Sequence, residues 1–182
     1  MGLMGLLRRG RHDRAGFSLY CAAVAAARES YFYTTLGVPD TLDGRFDMVG
    51  LHAALLIRRL RQCAEPGPAI AQAVFDAMFS DMDRNLREMG VSDLAVGKRV
   101  RAMWEAFHGR AQAYDAAIAS HDPSALAAAI GRNVWRGEPA GPGATEALAR
   151  IALAQSARLE SQPLADFVAG EIQFLPVAEA AR

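Results

Sequence analysis

Apolar residues recur along this chain at steps of three and four, the period of helices that bury one face. A first helix is expected from about Ser18 to Arg28. A turn follows around Leu36-Gly37-Val38-Pro39-Asp40, where Asp40 or Thr41 can cap a second helix reaching about Cys63. Leu42, Phe46, Val49, Ala53, Leu56 and Leu60 form its stripe, and Arg58, Arg59 and Arg61 suit the negative end of its dipole. Pro66-Gly67-Pro68 breaks the pattern. A third helix, about Ala69 to Met89, then carries Phe75, Met78, Met82, Leu86 and Met89 on one stripe and stops at Gly90. Ser92 opens a fourth helix whose buried side is Val96, Val100, Met103, Phe107, Tyr114 and Ile118, with Gly109 as a point of bending. Asp122-Pro123 is a strong start for a helix running to about Arg136. A long helix over about Thr145–Ser161 and a short one over Pro163–Ala169 precede an irregular tail. Runs of alternating apolar and polar residues bounded by turns are missing, so the pattern predicts an all-α fold: a single-domain bundle of about six to seven helices with irregular packing.

The same pattern sets the internal divisions. Residues 1–15 hold Arg8, Arg9, Arg11 and Arg14 among Gly and His without an apolar period, and are expected to be a flexible basic arm. Residues 16–137 form the main helical domain. Residues 138–144, with Glu138-Pro139-Ala140-Gly141-Pro142-Gly143, form a linker, and residues 145–182 are C-terminal helices packed on the same domain.

Composition agrees with a packed core: 52% of residues are apolar and 22% charged, which is globular rather than disordered. The formal net charge is zero and Lys98 is the only lysine, so the chain lacks the basic excess of a nucleic-acid binder and no DNA partner is expected. Cys21 and Cys63 stand alone on helical stretches and read as reduced packing residues. Neither a secretory signal nor a spanning segment is apparent, so a cytoplasmic protein is expected, with peripheral contact to the inner membrane as its closest approach to lipid. The arginines of the arm suit anionic lipid or ribosomal RNA.

Motifs that carry chemistry are missing. The chain has no P-loop, no GxSxG and no HExxH, and His12, His52, His108 and His121 do not pair at ligand spacing. Each reads as a surface or flanking histidine, and neither cofactor nor metal is expected. The densest polar cluster is on the third helix: Asp76, Asp81, Asp83, Arg84, Arg87 and Glu88. Asp76 and Asp83, seven apart, share a face and could serve a carboxylate- or metal-dependent enzyme. The alternative is a solvated face tied by Asp83–Arg87 and Arg84–Glu88 pairs, which the mixed signs favour. The methionine stripe is either core filling or an adaptable apolar groove. On the second helix Arg45, His52 and Arg59 are either a polar rim to that groove or the edge of a solvated face.

Two strings go further. One runs Phe32-Tyr33-Thr34-Thr35-Leu36-Gly37-Val38-Pro39-Asp40-Thr41-Leu42-Asp43-Gly44-Arg45-Phe46-Asp47. The other runs from Phe75-Asp76-Ala77-Met78-Phe79-Ser80-Asp81-Met82-Asp83-Arg84-Asn85-Leu86-Arg87-Glu88-Met89-Gly90-Val91 through Asp93-Leu94, Val96-Gly97-Lys98 and Phe107-His108-Gly109-Arg110. Together they resemble the ubiquinol–cytochrome c chaperone family, assembly factors for cytochrome b of the bc1 complex, over roughly residues 17–136. The resemblance implies a helical chaperone without catalytic residues. Its partners would be newly synthesised cytochrome b or other bc1 subunits, with the ribosome and a small partner protein nearby. The arm lacks the character of a mitochondrial presequence, so the chain looks like a bacterial member. On this resemblance the client- and partner-binding candidates are Arg45, Phe46, Asp47, His52, Met78, Asp81, Met82, Asp83, Arg84, Arg87, Glu88 and Lys98, with Phe46 and Met78 open to a core role. The tail after Gly137 carries no motif of the family.

Overall fold

A computed structural model describes residues 3–136 and 138–181. Among them every regular element is a helix, and there is no strand. Six long helices form the body: α1 (Leu3–Ala27), α3 (Leu42–Arg61), α4 (Gly67–Glu88), α5 (Asp93–Ala119), α6 (Pro123–Val134) and α7 (Ala144–Ser161). Three short ones, α2 (Ser30–Thr34), α8 (Leu164–Ala169) and α9 (Val177–Ala180), close the corners. The bundle is all-α and built on one core, as the apolar period predicts.

Local chemistry explains most boundaries. Thr41 caps α3, its Oγ1 accepting from Gly44 N at 3.1 Å. Asp122 caps α6 by accepting from Ala125 N at 2.9 Å, with Pro123 in the first turn. Gly143 adopts φ 70° and turns the chain from the Pro/Gly segment into α7. Ser92 precedes α5 but makes no side-chain cap bond. Gly109 does not interrupt α5, which is continuous from Asp93 to Ala119.

The central element is α3, buried along almost its whole length. It packs against α1, α4, α5, α6 and α7. Helix α1 lies along α4, and the approach is tight: a Cβ on Gly16 would meet the Ala73 side chain at 2.5 Å and its backbone carbon at 2.6 Å. From Leu3 onward the expected flexible arm over residues 1–15 falls on this helix, and residues 1–2 lie outside the described residues. The helix begins at Leu3, and Ala15, Leu19, Tyr20 and Ala23 are buried on it. Tertiary packing of that face holds α1 from Ala15 onward. Helix α7 packs on α3 and α6, and α8 and α9 pack back on α1, α4 and α7.

Candidate functional site

Four helices leave an open cleft of about 310 Å3 between them. Helix α1 supplies Tyr20 and Val24, four apart on one face, and Arg28 follows just past its last turn. From α3 come Leu42, Arg45, Phe46 and Val49, the start of its apolar stripe. Helix α4 contributes two adjacent rows: Met82, Leu86 and Met89 beside Asp81, Asn85 and Glu88. Met103 of α5 completes the wall. Half of these lining residues are aliphatic or thioether, and part of the lining is open to solvent: Leu42 is 46% and Met89 58% exposed. Flexible, polarizable methionine lets such a surface fit varied apolar partners.

Polar groups are tied down around that lining. The Asp81 carboxylate accepts from the Tyr20 hydroxyl at 2.7 Å and from the Asn85 amide at 3.2 Å, joining α1 to α4. Burial, and then the bond to Asp81, push the Tyr20 hydroxyl well above its ordinary pKa, so it stays a donor. At the mouth, Arg45 pairs with Asp40 at 2.6 Å in an exposed position. Its guanidinium holds the Asp40 carboxyl below the usual range.

The structure thus brings together Arg45, Phe46, Asp81, Met82 and Glu88 from the sequence candidates. Phe46 and Met82 are largely buried but face the cleft. Met78, by contrast, is fully enclosed in the core together with Met48, so the methionine stripe divides between core and groove. Asp83, Arg87 and Asp93 form an exposed ion-pair cluster beside the cleft, with Arg87 Nε 2.6 Å from Asp83. No ion pair joins Arg84 to Glu88 among the described residues, and Arg84 and Lys98 are exposed. The side chains of Arg8 and Arg9 lie outside the described residues, while Arg11 and Arg14 are exposed along α1.

Two candidates are struts rather than rim residues. Asp47 is buried and takes both Arg110 of α5 and Arg136 at the end of α6, the latter by Nε at 2.8 Å; Arg136 also reaches Asp43 at 2.7 Å. Burial pushes the Asp47 carboxyl above its usual range, and the two guanidiniums pull it back part of the way. His52 is also buried, which corrects its reading as a surface or flanking residue. Its ring lies edge-on between Phe32 at 5.7 Å and Phe174 at 5.5 Å, with Nδ1 2.9 Å from the Met48 carbonyl oxygen. The carbonyl can only accept, so Nδ1 carries a proton. Desolvation lowers its pKa to about 4.

The carboxylate-enzyme reading finds little geometric support. Asp76 is exposed and accepts from Gln72 at 2.7 Å, Asp83 is engaged by Arg87, and neither lines the cleft. Among the described residues no group of His, Cys, Asp or Glu is placed to hold a metal ion. Sequence reasoning passed over Tyr20, Val24 and Arg28 as site residues; their i, i+4, i+8 spacing was the available signal. It also missed Arg136, whose approach to Asp47 depends on a φ of 52° that no local pattern announces.

The described residues thus form an all-helical body with an apolar cleft among four helices. The family model described as "Ubiquinol-cytochrome C chaperone" matches residues 34–174. Ubiquinol-cytochrome-c reductase complex assembly factor 1 of Xenopus laevis is 26% identical over 98% of this chain and 90% of its own length. The Mus musculus and Homo sapiens proteins of that description are also 26% identical, and the chain spans 61% and 60% of their lengths. The crystal structure of the Cbp3 homolog from Brucella abortus superposes with a TM-score of 0.84 at 34% identity, covering 98% of this chain and 99% of that one. The chain belongs to the ubiquinol–cytochrome c chaperone family. The match runs well beyond residue 136, so the segment after Gly137, which carried no recognised motif, belongs to the family domain as far as residue 174.

Proposed function

We propose that this chain is an assembly chaperone for the ubiquinol–cytochrome c reductase complex and that it holds a newly made apolar subunit, cytochrome b above all, at the cleft between α1, α3, α4 and α5. One observation carries the reading. The two strings on which the family resemblance rests, far apart in sequence, meet as walls of one solvent-open apolar cleft: Arg45 and Phe46 from the first, Asp81, Met82, Leu86, Glu88 and Met89 from the second. A membrane subunit leaving the ribosome exposes surface that would otherwise aggregate, and a part-exposed methionine and aromatic lining shields such surface reversibly. Arg28, Arg45 and Glu88 at the same cleft favour particular clients and registers through charge. Within this reading the α1 arginines Arg11 and Arg14 contact ribosomal RNA or anionic headgroups, and the protein works at the cytoplasmic face of the inner membrane. Among the described residues no helix is long and apolar enough to cross a membrane.

The test is photocrosslinking in cells, with a benzophenone side chain at Leu42 or Met89, followed by mass spectrometry of the adducts. Adducts with cytochrome b or another bc1 subunit support the proposal. Adducts confined to unrelated proteins, in cells that assemble the complex normally, overturn it. Deleting residues 3–14 should separately weaken salt-sensitive ribosome or liposome association; unchanged association removes α1 as the anchor.

A further inference from the structure

One charged group of the cleft is only half satisfied. The Asp81 carboxylate lines the cleft from α4, in a wall that also holds Val49, Met82, Leu86 and Met103. Both of its hydrogen bonds fall on one oxygen. Oδ2 accepts from the Tyr20 hydroxyl at 2.7 Å and from the Asn85 amide at 3.2 Å, whereas Oδ1 accepts from no group among the described residues. Tyr20 is 3% exposed, so this strut between α1 and α4 is firmly seated. Donors from two helices fix the carboxylate, and its free oxygen is presented in one orientation.

The other charges at the cleft are placed differently. Arg45 is exposed at the mouth and paired with Asp40 at 2.6 Å. Arg28 and Glu88 are exposed as well, while Asp81 is half-buried. Neither arginine of the lining forms an ion pair with Asp81 among the described residues. Asp81 is therefore the charge that an occupant of the cleft cuts off from water.

Water can satisfy Oδ1 while the cleft stands open. An apolar occupant expels that water, and a carboxylate oxygen then left without a donor costs its full desolvation. A carboxylate only accepts, so the occupant itself has to bring the donor. A cationic donor suits best, because a charge-assisted bond strengthens as the surroundings become drier.

We propose that Asp81 sets the specificity of the cleft, and that the occupant is an apolar client segment carrying one lysine or arginine that pairs with Asp81 Oδ1. This rests on the cleft being the client site and adds what the client has to carry. A wholly apolar segment leaves the carboxylate bare, and an acidic residue at that position is repelled, so the same group selects for one client and against others. Lysine and arginine gather where membrane-spanning segments meet their cytoplasmic loops. The pairing thus places the edge of such a segment, rather than its middle, at the cleft.

The test measures, by fluorescence anisotropy on the full chain, the binding of three matched Ala/Leu helical peptides of about eighteen residues that differ at one position: Lys, Gln or Glu. The Lys peptide should bind about tenfold more tightly than the Gln peptide, and the Glu peptide more weakly than both. Asp81→Asn keeps an acceptor for Tyr20 and Asn85 and should bring the Lys and Gln peptides to within about twofold of each other. Glu88→Gln, at the exposed rim, should change the Lys preference by less than about twofold. Leu42→Ser should weaken all three peptides alike, which locates them in the cleft. Equal binding of the Lys and Gln peptides to the unaltered chain, a comparison that needs no variant, overturns the inference and leaves the client site standing. A Lys preference that survives Asp81→Asn does the same. Binding untouched by Leu42→Ser, or no binding of any peptide at about millimolar concentration, overturns both.

Discussion

Acidification should unfold this protein through His52, and the size of the effect can be worked out. In the unfolded chain the imidazole takes a proton near pH 6.5. In the folded chain it is enclosed by Phe32 and Phe174, its Nδ1–H is committed to the Met48 carbonyl, and its pKa lies at about 4. Between those two values only the unfolded state binds the proton, so folding stability is constant above about pH 6.5 and falls as pH drops toward 4. A gap of about 2.5 units corresponds to about 3 kcal/mol lost by pH 4. The ring is fully buried, so solvent screening does not reduce that figure. Other groups titrate in the same window, and Asp47, whose carboxyl is raised, acts with the opposite sign. The comparison with His52→Phe therefore isolates the histidine. Phenylalanine keeps the stacked volume and removes the titration, while the Met48 carbonyl retains its helical N–H partner. Urea unfolding at intervals between pH 7 and pH 4 gives the stability of each protein. The wild-type chain should lose about 3 kcal/mol relative to the variant across that range. A stability difference independent of pH would refute the burial argument, as would an NMR titration of His52 with a midpoint near 6.5.

Asp47→Ala leaves Arg110 and Arg136 without the carboxylate they share, and should cost about 3 kcal/mol, seen as a melting temperature lower by roughly 6–12 °C. Calorimetry checks this; a drop of less than about 2 °C would mean the buried pairs hold nothing together. Gly16→Val places a side chain where the Ala73 backbone sits, and should separate α1 from α4, destabilising by about 2 kcal/mol or more in chemical unfolding. Met89→Glu, at a mostly exposed position, should leave the melting temperature within about 2 °C but weaken client crosslinking at Leu42 several-fold. Unchanged crosslinking would move the contact away from this cleft.

The parts of the fold that were legible are those written in local chemistry. Thr41 and Asp122 mark helix starts because a short polar side chain and a following turn suffice to define a cap. The stripes of α3 and α4 were readable because their buried faces are nearly continuous. Only the second half of α1 was legible: the part before Ser18 is rich in Gly and Arg, and the close approach of Gly16 to Ala73 is a contact between distant residues. His52 and Asp47 were misplaced for the same reason. Each lies on the polar edge of α3 by spacing alone, and each is covered by residues from elsewhere: Phe174 in one case, Arg110 and Arg136 in the other. The C-terminal tail looked irregular because its hydrogen bonds go to the side chains of Gln155 and Gln162, seven residues apart on α7, a pattern with no period of its own.

The cleft is small, and that constrains how it can act. A few client side chains filling it would bury about 200 Å2 of apolar area, worth about 5 kcal/mol at the usual coefficient. Association itself costs about 4 kcal/mol or more before any client segment is ordered. On the proposed reading, the cleft alone would therefore give weak, rapidly reversible contact. Release of the client into the membrane complex needs that reversibility, but retention until assembly needs more. A second weak contact on the same client turns the next binding event into an intramolecular one, and effective concentrations in the millimolar range raise avidity by about a hundredfold or more.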